Sequence, residues 1–170
     1  MVGKRESGED KLRLFIGTPV EIPFYNRIRG ELEGVVEGKW VEGYNLHLTH
    51  LFIGEDFPER WKIDLPIPVG EIEVQGFGVL NNRILYLRAH HPEIGAVNRY
   101  LIERFNWPDR REFIPHITLC RIKKVKGWRE LYTRLDHLSQ LRWRVPFILY
   151  LYSSQLTRTG PIYKKIWKYR

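Results

Sequence analysis

Two segments of this chain limit its possible folds more than any other feature: Leu46 to Ile53 and Ile114 to Ile122. Both are rich in apolar and β-branched residues, and the first ends at Gly54 and the turn-prone pair Glu55-Asp56, so both predict strands. Each carries a histidine and a threonine two residues apart, His47/Thr49 and His116/Thr118, and the two motifs stand 69 residues apart. Side chains alternate along a strand, so His47 and Thr49 share one face while Leu46 and Leu48 take the other. His116 and Thr118 repeat this against Ile117 and Leu119. If the two strands lie side by side, their polar faces form one pocket holding two imidazoles and two hydroxyls.

The surrounding pattern is that of a mixed chain. Leu12 to Gly17 reads as a strand before Pro19. After Pro23, Phe24, Ile28, Leu32 and Val35/Val36 recur at helical spacing and predict a helix before Gly38. Pro58, Pro66, Pro68 and Gly70 punctuate a connection. Ile72 to Val79 and Ile84 to Ala89 then read as a hairpin turned at Asn81-Asn82. Pro92 to Phe105 and Trp128 to Leu138 predict helices, Val145 to Ser153 one strongly apolar strand, and the remainder from Gln155 a basic tail. Each half thus has strands, helix and one His-x-Thr strand, as a diverged internal duplication would give.

With 170 residues, 43% of them hydrophobic, the chain suits one compact domain over 11–170 rather than two small ones or a disordered polymer. Residues 1–10 are expected to form a flexible tail. They lack the apolar core of a secretory signal, and no stretch approaches the roughly 20 apolar residues of a membrane span, so a cytoplasmic protein is expected. The single cysteine, Cys120, excludes an internal disulfide framework and a Cys-rich zinc site. A net charge of +8 favours a polyanionic partner, nucleic acid or an anionic surface, without choosing between them.

The motif residues suit a phosphodiester. One neutral histidine can take a proton from water while a protonated one gives a proton to the departing ribose oxygen, since an unperturbed imidazole titrates at about 6.5. The threonine hydroxyls can donate to the non-bridging oxygens. No metal or cofactor is needed for such a scheme.

The segments Asn45 to Gly54 and Phe113 to Arg121 resemble the paired motifs of the 2H phosphoesterases, and within them those of the RNA 2′,3′-cyclic phosphodiesterases, historically the 2′-5′ RNA ligases. The likeness extends through Leu14-Phe15-Ile16, the strand Ile84 to Leu87 and the pattern Ser154-x-Leu156…Gly160-x-x-Tyr163. It implies an α+β, bilobal fold with two antiparallel sheets lining a central cleft and helices outside. It also implies hydrolysis to a 2′-phosphate, with His47 as proton donor, His116 as proton acceptor, and Thr49 and Thr118 on the phosphate. Arg121 resembles a family arginine near the phosphate. Phe52 matches an aromatic placed against the base, although its parity differs from that of His47 and requires a bulge or a strand end. Tyr163 belongs to the C-terminal pattern. The implied partners are RNA with a 2′,3′-cyclic phosphate end, such as tRNA fragments, or cyclic nucleotides; a monomer with no membrane partner is expected. Ligation through 2′-5′ linkages and, from another class, a non-catalytic RNA-binding module are the competing readings.

One departure stands out. The last position of the first motif, usually apolar, is His50, which by alternation faces away from His47 and is expected to be partly exposed or hydrogen-bonded on the sheet's other side. His90-His91 reads as a loop at a strand end, His137 as helix surface and Cys120 as a buried thiol. Lys164, Lys165, Lys168 and Arg170 form a basic end that suits either an RNA backbone or plain solvation.

Overall fold

The computed structural model describes residues 10–108 and 112–170; the tail expected over 1–10 lies, apart from Asp10, outside them. In chain order come β1 (Leu12–Pro19), α1 (Tyr25–Leu32), β2 (Val36–Trp40), β3 (His47–Asp56), β4 (Glu71–Leu80) and β5 (Ile84–His90). They are followed by α2 (Ala96–Phe105), β6 (His116–Val125), α3 (Trp128–Leu138), β7 (Arg142–Pro146), β8 (Tyr150–Thr157) and β9 (Gly160–Lys168). Among the described residues, three α-helices set beside an antiparallel sheet make an α+β fold. Among the described residues no helix is long and apolar enough to cross a membrane.

The strands hydrogen-bond in the order β7-β4-β5-β6-β3-β1-β8-β9, with β2 lying along part of β6. The two motif strands are central neighbours, but their ladder consists of a single pair, Leu48 with Ile117. Both residues are fully buried. On either side of this narrow junction the ladders are long: β1 with β3 and β8 with β9 in one half, β4 with β5 and β5 with β6 in the other.

Behind the sheet, each helix buries an apolar stripe set by its three- to four-residue spacing: Ile28 and Leu32 on α1, Val97 and Leu101 on α2, Leu131, Leu135 and Leu138 on α3. They meet Leu14, Ile16, Leu48, Leu85, Leu87, Ile117 and Leu119 from the strands in one core. Asn106 ends α2 in the left-handed conformation, with its own N–H and that of Trp107 closing on carbonyls of the last turn.

Three expectations change. The helix after Pro23 stops at Leu32, and Val36 begins a strand instead of prolonging the apolar stripe. The run from Val145 to Ser153 is two strands on opposite sides of the sheet, broken at Phe147 to Leu149. The basic end is not a tail but β9, which closes a hairpin with β8. The Asn81-Asn82 turn is as expected, both residues having positive φ as a tight hairpin of that hand requires.

Candidate active site

Antiparallel pairing about Leu48 and Ile117 sets His47 opposite Thr118 and Thr49 opposite His116. The four motif residues therefore converge on one face, each histidine beside the other motif's threonine. The histidines are partly buried, while Leu48 and Ile117 between them point into the core.

Both imidazoles are held the same way. His47 Nδ1 lies 2.8 Å from the carbonyl of Asn45, and His116 Nδ1 lies 2.7 Å from that of Ile114, in each case two residues upstream. A carbonyl only accepts, so Nδ1 must carry the proton and donate it. Each neutral ring is thereby left with a bare Nε2 for proton transfer, the arrangement acid–base chemistry needs. Thr49 and Thr118 have no side-chain partner among the described residues, so both hydroxyls can bond an incoming group.

The environments of the two histidines differ. His47 sits among aromatic rings: Phe15 at 4.9 Å, Tyr163 edge-on at 5.0 Å and Tyr152 at 6.5 Å between centroids. Phe15 reaches His47 by leaning over Gly17, where a Cβ would come within 2.9 Å of the Leu48 carbonyl and 3.2 Å of the Phe15 ring. Among the described residues His116 has one aromatic neighbour, Tyr86, edge-on at 5.4 Å, whose own ring lies over Gly78. Burial lowers the His47 pKa below its ordinary value; the Asn45 hydrogen bond opposes this, and a charge on His116 adds to it. The two imidazoles are thus close enough to sense each other's proton.

The parity problem at Phe52 is resolved by a bulge. Thr49 pairs with Gly17 and Leu51 with Ile16, so His50 is an extra residue in β3. It swings Phe52, which pairs with Phe15, onto the face of His47. In β6, Thr118 pairs with Tyr86 and Cys120 with Leu85, making Leu119 the extra residue. Arg121 thereby joins His116 and Thr118. His50 and Leu119 each stand three residues after their motif histidine, and Phe52 and Arg121 each stand five after, so the two halves repeat each other in detail. Phe52 is 47% exposed and lies under Arg13 at 5.1 Å, open to stacking. Burial raises the Tyr163 pKa, while Arg121 and Arg13 pull it back. Tyr163 therefore keeps its proton with two guanidinium groups nearby.

All the residues expected at the site, His47, Thr49, Phe52, His116, Thr118, Arg121 and Tyr163, come to this face. Sequence reasoning missed Phe15, Tyr86, Tyr152 and Arg13. Phe15 and Tyr86 lie in strands whose alternation could have placed them; Tyr152 is hidden in a continuous apolar run.

The remaining candidates stay apart from the site. Of the two alternatives for His50 the hydrogen-bonded one holds: it is 1% exposed on the core side, with Nε2 2.8 Å from Thr18 Oγ1 and Nδ1 without a partner among the described residues. Cys120 is fully buried, and burial pushes its thiol up to about 11, which keeps it protonated and unreactive. His90 and His91 donate from Nε2 to the carbonyls of Gln75 and Val69 at the far end of β5.

No family model matches the chain. An RNA 2′,3′-cyclic phosphodiesterase of Methanocaldococcus jannaschii is 29% identical over 142 residues, covering 75% of this chain and 82% of that one. Over most of its length the chain is similar to curated proteins named RNA 2′,3′-cyclic phosphodiesterase, a second of them, from Aquifex aeolicus, being 29% identical over 163 residues. Solved structures share the fold. The protein TT0787 of Thermus thermophilus matches with a TM-score of 0.66 at 24% identity, over 93% of this chain and 97% of its own. E. coli LigT, solved in complex with 3′-AMP, matches with a TM-score of 0.65 at 22% identity, over 94% and 99%. These relatives carry the name of a hydrolase, and the two tethered histidines are the feature of this site suited to such chemistry.

Proposed function

We propose that the protein hydrolyses the 2′,3′-cyclic phosphate at RNA ends to a 2′-phosphate by two-histidine acid–base catalysis with no metal step. The observation that carries this reading is the pair of Nδ1 tethers, which aims two free Nε2 atoms at one polar face. His116 Nε2 takes a proton from water as its oxygen attacks phosphorus. His47 Nε2–H gives a proton to the departing 3′ oxygen, which leaves as a free hydroxyl. Thr49 and Thr118 donate to the non-bridging oxygens, where negative charge grows during attack. Arg121 adds positive charge beside them, and Tyr163 packs against the donor ring.

The donor assignment is consistent with the surroundings of His47. A lowered pKa makes its imidazolium a stronger acid, and the bound phosphate anion restores the proton that burial disfavours. The finer architecture follows the same reading: the two halves of the sheet, whose strand ladder narrows to the pair Leu48–Ile117, act as two walls of a cleft with the helices outside. Phe52 offers its exposed ring to the terminal base.

Phosphorus NMR tests this directly. A 2′,3′-cyclic phosphate incubated with the protein in the presence of chelator is expected to give a 2′-phosphate alone. A 3′-phosphate, or turnover abolished by chelator, would refute the scheme.

A further inference from the structure

The chain's charge is very unevenly spread. Residues 1–136 hold 21 Lys and Arg against 20 Asp and Glu, whereas residues 137–170 hold seven Lys and Arg and no acidic residue. Nearly all of the +8 therefore belongs to the last 34 residues. Two of these cations, Arg142 and Arg144, lie on β7 at the far side of the sheet; the other five fall on or next to the β8–β9 hairpin.

That hairpin continues the catalytic face. Tyr152 stacks on Phe15 at 4.8 Å, and Tyr163 meets His47. Cross-strand pairing of Tyr152 with Lys165 and of Tyr150 with Lys168 puts both lysines on the same side as these tyrosines. Lys165 Nζ lies 4.6 Å from the centre of the Tyr150 ring. Both lysines are exposed, and neither has a carboxylate partner among the described residues. An aromatic ring flanked by two unpaired cations, leading away from the reacting histidines, matches the needs of a single strand: stacking for any base and positive charge for successive phosphates.

We infer that β8–β9 is a track for the single-stranded RNA leading into the reacting end, with a base on Tyr150 and phosphates on Lys165 and Lys168. The inference rests on the proposed hydrolysis and names its substrate class as an oligonucleotide end rather than a free cyclic nucleotide. The track carries no sequence preference, because every base has a stacking face.

Two measurements test it together. In the first, kcat/KM is compared for a short oligoribonucleotide with a 2′,3′-cyclic phosphate end and for a 2′,3′-cyclic mononucleotide. A Lys165→Gln/Lys168→Gln protein is expected to lose about ten-fold on the oligonucleotide relative to the mononucleotide, through KM, with a shallower salt dependence. An equal loss on both substrates, or none on either, overturns the track. In the second, fluorescence anisotropy follows a labelled oligoribonucleotide ending in a 3′-hydroxyl, which cannot react. Its binding is expected to weaken in the double variant and in Tyr150→Ala; unchanged binding overturns the track as well. Lysine-dependent binding without turnover of either cyclic substrate would uphold the track and refute the hydrolysis. Turnover of the mononucleotide without preference for the oligonucleotide would do the reverse.

Discussion

Burial and a nearby imidazole act against the charged form of His47, and its hydrogen bond to Asn45 acts for it, with burial the largest influence. A donor must be protonated, so in the free enzyme the active form of His47 exists only below its lowered pKa. An NMR titration of the His47 ring in the free enzyme is therefore expected to have its midpoint below the ordinary 6.5, and the same titration with a bound phosphate anion to lie higher. Coincident midpoints at or above 6.5 would contradict this. At His50 the effect falls on stability. Complete burial holds its pKa at about 3, so the folded protein keeps the ring neutral while the unfolded chain takes up a proton near 6.5. Stability contributed by the neutral ring is full above that point and is lost as pH falls from about 6.5 towards 3, by up to ~1.4 kcal/mol per pH unit. Denaturant unfolding at pH 7, 5 and 4 checks this against His50→Leu, which copies the Leu119 of the other half. The variant is expected to lose the extra slope, and equal slopes would show that His50 is not its source.

Among the elements, the two bulges matter most, because each lets a six-residue stretch present a histidine, a threonine and a further side chain to one face. Alternation alone foretells His47 with Thr49 and His116 with Thr118. It puts Phe52 on the wrong face because an extra residue leaves no mark in a run that is apolar on both sides. The same blindness makes one strand of β7 and β8. Val36 falls into a helix because its spacing continues that of Ile28 and Leu32. Strand β9 reads as a tail since an edge strand with lysines on both faces, and a bulge at Ile166, shows no alternation. Where polarity and spacing agree, as in α3 and the Asn81-Asn82 hairpin, the elements are legible from the sequence. Close packing between elements supplies a further prediction. Gly17→Ala forces a Cβ against the Leu48 carbonyl and the Phe15 ring, so a loss of about 1–3 kcal/mol in stability is expected, together with reduced kcat as Phe15 is displaced from His47. Wild-type stability and kcat in this variant would mean that Phe15 does not position the imidazole.

Across the whole molecule, the two motif strands share a single ladder pair, Leu48 with Ile117, and each supplies one imidazole with the same tether. Such a division makes the site depend on both motifs at once, so neither half can act alone. This two-part design is legible in the repeated motif, whereas the aromatic enclosure of one histidine and the relative openness of the other emerge only from tertiary packing. The central claim is that both histidines move protons in one reaction. Its most direct test is single-turnover hydrolysis of a 2′,3′-cyclic phosphate by His47→Ala and His116→Ala proteins that unfold at the wild-type midpoint. Each is expected to be slower by about 10²- to 10⁴-fold. A wild-type rate in either protein would contradict the account.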